Sequence, residues 1–244
     1  MPSNLKIEKA ATEFRERHGY NSSTPIRIKS LLIELKILTV FKNMEGSFSG
    51  MSLKIEDSKF MLINSAHSIG RQHFTIMHEL YHLFVQKDFE HVICEDDENG
   101  NHKKEEELAD IFAANLLIPK DGILKRVNSS ELGKKDKISI NSILELEQYF
   151  SCSHKSMLKR LEQLGFISNE YKDRLSSDII KLAQEYGYET SLYSPGNEGL
   201  IIGDYGAKAK RLFDSDVISQ THYIELMRDL GIDLEEDKSG QNES

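Results

Sequence analysis

Five consecutive residues of this 244-residue chain, His78-Glu79-Leu80-Tyr81-His82, have the types and spacing that metal-assisted hydrolysis requires. On a helix, residues four apart lie one above the other, so His78 and His82 can offer imidazole nitrogens to one ion. Glu79 stands one step round from the first histidine. A general base placed there can take a proton from water activated by the ion without ligating the ion itself. The surrounding residues imply the helix: Phe74, Met77, Tyr81 and Val85 share one face, and Ile76, Leu80, Leu83 and Phe84 cover others. A helix apolar on most sides is central and buried. Histidine and glutamate need partners in such surroundings, and a divalent cation supplies one.

A catalytic zinc centre usually has three protein ligands and keeps a fourth position for water. The metzincin continuation, a glycine and a third histidine, is absent, because Leu83-Phe84-Val85-Gln86-Lys87-Asp88 follows the motif. His91 and His102 are conceivable ligands, but they lie in a polar, acidic segment where histidines are usually exposed. A carboxylate from the next helix, spanning residues 105–118, fits better. Of Glu105, Glu106 and Glu107, it is Glu106 that shares a face with Ala109, Asp110 and Ala113, a small-residue stripe able to approach the first helix closely. Asp110, one turn on, is placed to accept the outer N–H of a ligand histidine and so fix its tautomer. The expected set is a metal on His78, His82 and Glu106, with Glu79 as base and Asp110 behind. The donors suit zinc, and such a site also accepts other first-row ions such as manganese.

These residues need a scaffold to bring them together. Residues 4–19 read as a helix, and Thr24 with Pro25 reads as the start of a second one carrying Ile28, Leu31, Leu32 and Leu35. Residues 37–41 have strand composition, and residues 51–55 and 59–64 read as a hairpin, giving an α+β chain with a small antiparallel sheet of about three strands before the motif helix. An extended substrate is expected along an exposed strand of that hairpin. The motif helix is expected from about residues 68–70 to 85–87, and residues 88–101 as an exposed loop. From Ile138, two apolar-periodic helices joined at Ser151-Cys152-Ser153 outline a helix-turn-helix. Its second helix carries Lys155, Lys159 and Arg160 against Glu162, a weak basic excess for binding DNA. A helix near residues 178–186, a turn at 194–197 and periodic stretches at 207–213 and 223–230 follow, with a polar, disordered tail from Glu235. The expected division is residues 1–125, 126–168, 169–234 and the tail 235–244.

Composition narrows the class. Hydrophobic residues at 39% and charged residues at 29% are ordinary globular values, and no apolar run approaches the roughly 20 residues of a membrane span. The charged amphipathic start is unlike a signal peptide, and Cys94 and Cys152 fit no disulfide framework or paired-cysteine motif, so a cytoplasmic protein with reduced thiols is expected. A net charge of −9 argues against general affinity for nucleic acid.

Two stretches together are more specific than either alone. Arg71-Gln72-His73-Phe74-Thr75-Ile76-Met77-His78-Glu79-Leu80-Tyr81-His82, followed by Glu106-Glu107-Leu108-Ala109-Asp110-Ile111-Phe112-Ala113-Ala114-Asn115-Leu116-Leu117-Ile118-Pro119, resembles the ImmA/IrrE family of metallopeptidases. The resemblance implies a zincin-like, gluzincin-type core, zinc on His78, His82 and Glu106, and Glu79 as base. It also implies a regulatory protease that cuts a helix-turn-helix repressor or antitoxin encoded nearby and so controls mobile-element, phage or stress-response genes. Other roles open to such a chain are a non-catalytic, metal-stabilised binder of a repressor or of operator DNA, and the protease of a toxin–antitoxin pair. Tyr81 departs from the family's frequent glycine, and is expected to stand beside the ligands without touching them.

Overall fold

A computed structural model describes residues 3–86, 91–94, 100–175 and 178–234, with only the backbone described at residues 3, 91–94 and 100–102. The first helix, α1 (Ser3–Arg17), turns Ala11 and Phe14 into the core. The second, α2 (Ile28–Glu34), starts later than the Thr24-Pro25 pair suggests, and its cap residue is Arg27, with no side-chain cap. Thr24 is occupied differently. Its backbone N–H donates to Asn21 Oδ1, which closes a turn, and its carbonyl accepts from the buried Arg15 guanidinium.

Strand β1 (Ile37–Lys42) comes next, then the hairpin of β2 (Gly50–Ile55) and β3 (Ser58–Asn64), then the motif helix α3 (Ile69–Phe84). Strand β4 (His91–Cys94) lies within the segment read as a loop and precedes α4 (Gly100–Leu117). Among the described residues the sheet has five strands in the order β4-β2-β3-β1-β5, where β5 is Ile201–Ile202. The expected three-stranded antiparallel sheet is therefore corrected in size and in direction, since β1 runs parallel to β3. Neither strand of the hairpin is an edge, as β4 pairs with β2 and β1 pairs with β3. Over Gly50–Leu53 of β2 and Lys59–Asn64 of β3 the outer ladder positions are taken by β4 and β1, so a substrate strand cannot add there as expected.

Helix α3 lies with the sheet on one side and α4 on the other, and α1 packs along α4. Ile76, Met77, Leu80 and Leu83 of α3 and Ala109, Phe112, Ala113 and Leu116 of α4 are buried in one cluster. Small side chains at 109 and 113 let the two helix backbones approach, as the stripe implied.

Short helices α5 (Lys120–Arg126) and α6 (Ser129–Leu132) lead to α7 (Ile140–Phe150) and α8 (His154–Gln163). Ser139 and Ser153 cap α7 and α8 by accepting from the Ser142 and Ser156 backbone N–H groups. The turn between them presses on α3. A Cβ added at Gly70 would stand 2.5 Å from Ser153 N and 2.7 Å from Cys152 C, so only glycine permits this approach. Met157, Leu158 and Leu161 of α8 belong to the same cluster as α3 and α4.

Helices α9 (Asn169–Leu175) and α10 (Ile179–Glu185) and a 3₁₀ turn at Ser191–Tyr193 follow, then a strap that returns to the start of α3. Ile69 N donates to Ser194 O at 2.9 Å, and Ser68 bridges Pro195. Gln72, fully buried, donates to His67 O (2.7 Å) and Gly196 O (3.0 Å) and accepts from Asn197 Nδ2 (2.9 Å). The strap then joins the sheet. Gly199 N donates to Phe41 O, Phe41 N donates to Leu200 O, and β5 pairs antiparallel with β1. Helices α11 (Tyr205–Asp214) and α12 (Gln220–Arg228) form a hairpin in which the Phe213 and Tyr223 rings stack. The tail expected to be disordered, residues 235–244, lies outside the described residues. No helix among the described residues is long and apolar enough to cross a membrane.

Candidate metal centre

The 3.6-residue period brings His78 and His82 to the same face of α3, with ring centroids 5.0 Å apart. Their Nε2 atoms stand 3.2 Å from each other. Glu106 reaches across from α4, with Oε2 2.9 Å from His78 Nε2 and Oε1 3.5 Å from His82 Nε2. The three offer ligand atoms that all lie within 4.8 Å of one another. His91 and His102, the other conceivable ligands, fall where only the backbone is described.

The outer nitrogens bear on the tautomers. His78 Nδ1 lies 3.2 Å from Asp110 Oδ1, and His82 Nδ1 lies 2.5 Å from Gln86 Oε1. Both partners are acceptors, so each Nδ1 can donate outward, the tautomer in which each Nε2 presents a lone pair inward to a cation. Two lone pairs and a carboxylate facing one another repel unless a cation joins them. Two nitrogens on one tetrahedral zinc at ordinary bond lengths are about 3.3 Å apart, close to the spacing here. The donor set fits a divalent metal.

Electrostatics favour the same state. Burial, with the neighbouring His78 ring, holds His82 below the usual imidazole range, which keeps it in the neutral, ligating form. Burial alone would raise Asp110. The hydrogen bond from His78, with the charge and hydrogen bond of Lys159, outweighs this and holds its carboxyl below the usual range. Lys159 of α8 donates to Asp110 Oδ2 at 3.0 Å, so helix α8 supports the outer side of the site.

Glu79 is fully buried on α3. Its Oε2 accepts from Ser52 Oγ at 2.7 Å, and its Oε1 has no hydrogen-bond partner among the described residues. Tyr81 does more than stand aside, contrary to expectation. Its ring meets His82 edge-on at 5.5 Å between centroids, and its hydroxyl donates to Glu105 Oε2 at 2.8 Å, beside Glu106. Burial, then Glu105, pushes its phenol well above the usual range, so it remains a donor.

Residues 33–162 match the family model for Peptidase M78, described as an IrrE N-terminal-like domain, over more than half of the chain. The chain belongs to the M78 peptidase family. This is a family of metallopeptidases, typically zinc-dependent. No curated protein matches the chain. The matched M78 region runs from α2 to α8, holding every residue of the metal centre, and ends before the strap.

Three supports of the M78 site escape a reading of the motif alone. Gln86 did leave a signal, because it continues the spacing of four through 78, 82 and 86. Ser52 and Lys159 left none, since nothing in the local sequence says which strand or helix faces the site.

If Asp110 orients His78, Asp110→Asn weakens metal binding by about 10–100-fold, the usual scale for a lost outer partner. Competition with a chromophoric chelator measures this, and parent-like affinity would show that His78 needs no such support.

Proposed function

We propose that this M78 peptidase is a zinc-dependent endopeptidase of the zincin-like, gluzincin type, acting in the cytoplasm on a protein substrate. The substrate we favour is a helix-turn-helix repressor or antitoxin encoded nearby, whose cleavage releases mobile-element, phage or stress-response genes. The observation that carries the catalytic part is the convergence of His78, His82 and Glu106 at the helix that also carries the buried Glu79, one of whose oxygens is unengaged among the described residues.

When bound, zinc supplies a Lewis acid for the peptide carbonyl and lowers the pKa of water towards about 7. His78 and His82 would hold the ion through Nε2 and Glu106 through its carboxylate, while Asp110 and Gln86 keep the two rings from rotating. Glu79 Oε1 takes a proton from the attacking water. As the new C–O bond forms and the peptide C–N bond breaks, Glu79 delivers that proton to the leaving nitrogen.

The alternative that α8 reads operator DNA finds little support in its surroundings. A recognition helix contacts bases with its N-terminal residues, and here that end packs against Gly70 of α3. Arg160 is buried and donates to Ile118 O and Asn115 Oδ1, and Lys159 pairs with Asp110. We read residues 126–168 as a buttress for the site.

The test is to incubate the zinc-loaded chain with the helix-turn-helix protein encoded beside its gene and to identify fragments by mass spectrometry. A single new terminus that disappears with a chelator is expected. An intact partner after prolonged incubation, with zinc confirmed in the protein, would rule out that substrate.

A further inference from the structure

Strand β2 carries a polar residue at a position that packing alone would fill with an apolar one. Ser52 lies mid-strand, with Met61 of β3 and Val92 of β4 as its neighbours in register, and it is fully buried. A buried hydroxyl is costly without a hydrogen bond. Here its partner is Glu79 Oε2, 2.7 Å away, itself on a fully buried side chain. A glutamate has three side-chain torsions, and a buried carboxylate with one oxygen tied can present only the other. That other oxygen, Oε1, has no hydrogen-bond partner among the described residues.

We infer that Ser52 is a positioning residue for Glu79: its hydroxyl fixes Oε2 so that Oε1 is the oxygen that receives and returns the proton. This rests on the peptidase reading above. Ser52 keeps its own proton throughout. It donates to Oε2 while Glu79 is a carboxylate, and still donates there once water has protonated Oε1. The proton leaves from Oε1 to the departing nitrogen, so no charge is transferred to the strand. Because the ladder fixes Ser52 from both sides, the base is oriented by the sheet as well as by its own helix.

The probe is acetohydroxamate, which chelates a catalytic zinc and needs a correctly placed carboxylate to accept its proton. It avoids dependence on any one protein substrate. Binding is measured by calorimetry on the zinc-loaded full chain for the parent, Ser52→Ala and Ser52→Thr, alongside zinc stoichiometry and Tm. The expected result is about tenfold weaker binding for Ser52→Ala, the scale of one hydrogen bond to a charged group, with unchanged zinc content and recovery in Ser52→Thr. Parent-like binding by Ser52→Ala would overturn the assignment. So would loss of zinc or a collapsed Tm in Ser52→Ala with no recovery in Ser52→Thr, which would make the serine a packing residue. Failure of the parent itself to bind, with zinc present, would instead remove the peptidase reading on which the assignment depends.

Discussion

Glu79→Gln is expected to keep its zinc and to lose about 10²–10⁴-fold in turnover, the range for a missing general base. Glutamine has the shape of glutamate, so its carbonyl oxygen can still accept from Ser52. The amide nitrogen then occupies the place of Oε1 and cannot take a proton from water. Metal content should not change, because the side chains grouped to hold a metal are His78, His82 and Glu106, and Glu79 is not among them. Initial rates on the cleaved partner, with zinc measured on the same samples, decide the matter. Cleavage at the parent rate would remove Glu79 from the chemistry.

The second large effect concerns Glu106→Ala. Two imidazoles on α3 would remain, but the ligand that ties α4 to the site would be gone. Zinc affinity should fall by more than the roughly 100-fold associated with an outer partner, since a direct ligand is lost. Stability gives an independent view. A ligand that binds only the folded state stabilises it by about 2.7 kcal/mol at 100 times its Kd, so a chelator should lower the Tm of the parent and leave that of Glu106→Ala nearly unmoved. Equal chelator sensitivity in both proteins would mean that Glu106 does not hold the metal.

What the sequence conveyed about this site was what local periodicity can convey. His78 and His82 are neighbours because of the helical repeat. Glu106 and Asp110 were separable from Glu105 and Glu107 because they share a face with Ala109 and Ala113, and the structure turns that face to α3. The hairpin was equally local, two alternating runs around a turn. The missing parts depend on long-range pairing. Strand β4 is four residues in an acidic stretch, and β5 is two residues, so neither gives a period to detect. The parallel alignment of β1 with β3 leaves no trace in either strand alone. Nor does strand alternation distinguish a serine that bonds a buried glutamate from one that fills space. The helix outline at 140–163 was legible, but its use was not, because Gly70, which admits the turn, lies far away in sequence on α3.

The strap also governs the order in which the protein can mature. His78, Glu79, His82, Glu106 and Asp110 all precede residue 111, yet Gly196 O, one of the carbonyls that hold Gln72, and the last strand of the sheet come from residues 194–202. During synthesis the motif helix therefore emerges well before the segment that anchors its first turn, and Thr39 waits for Ile202 to reach it. Pairings so distant in sequence form late, because chain closure must precede any gain. A product stopped before residue 190 would contain the whole donor set and an uncovered β1 edge, a template for pairing with other chains. Only a chain extended through residue 202 pairs that edge and anchors the first turn of the motif helix.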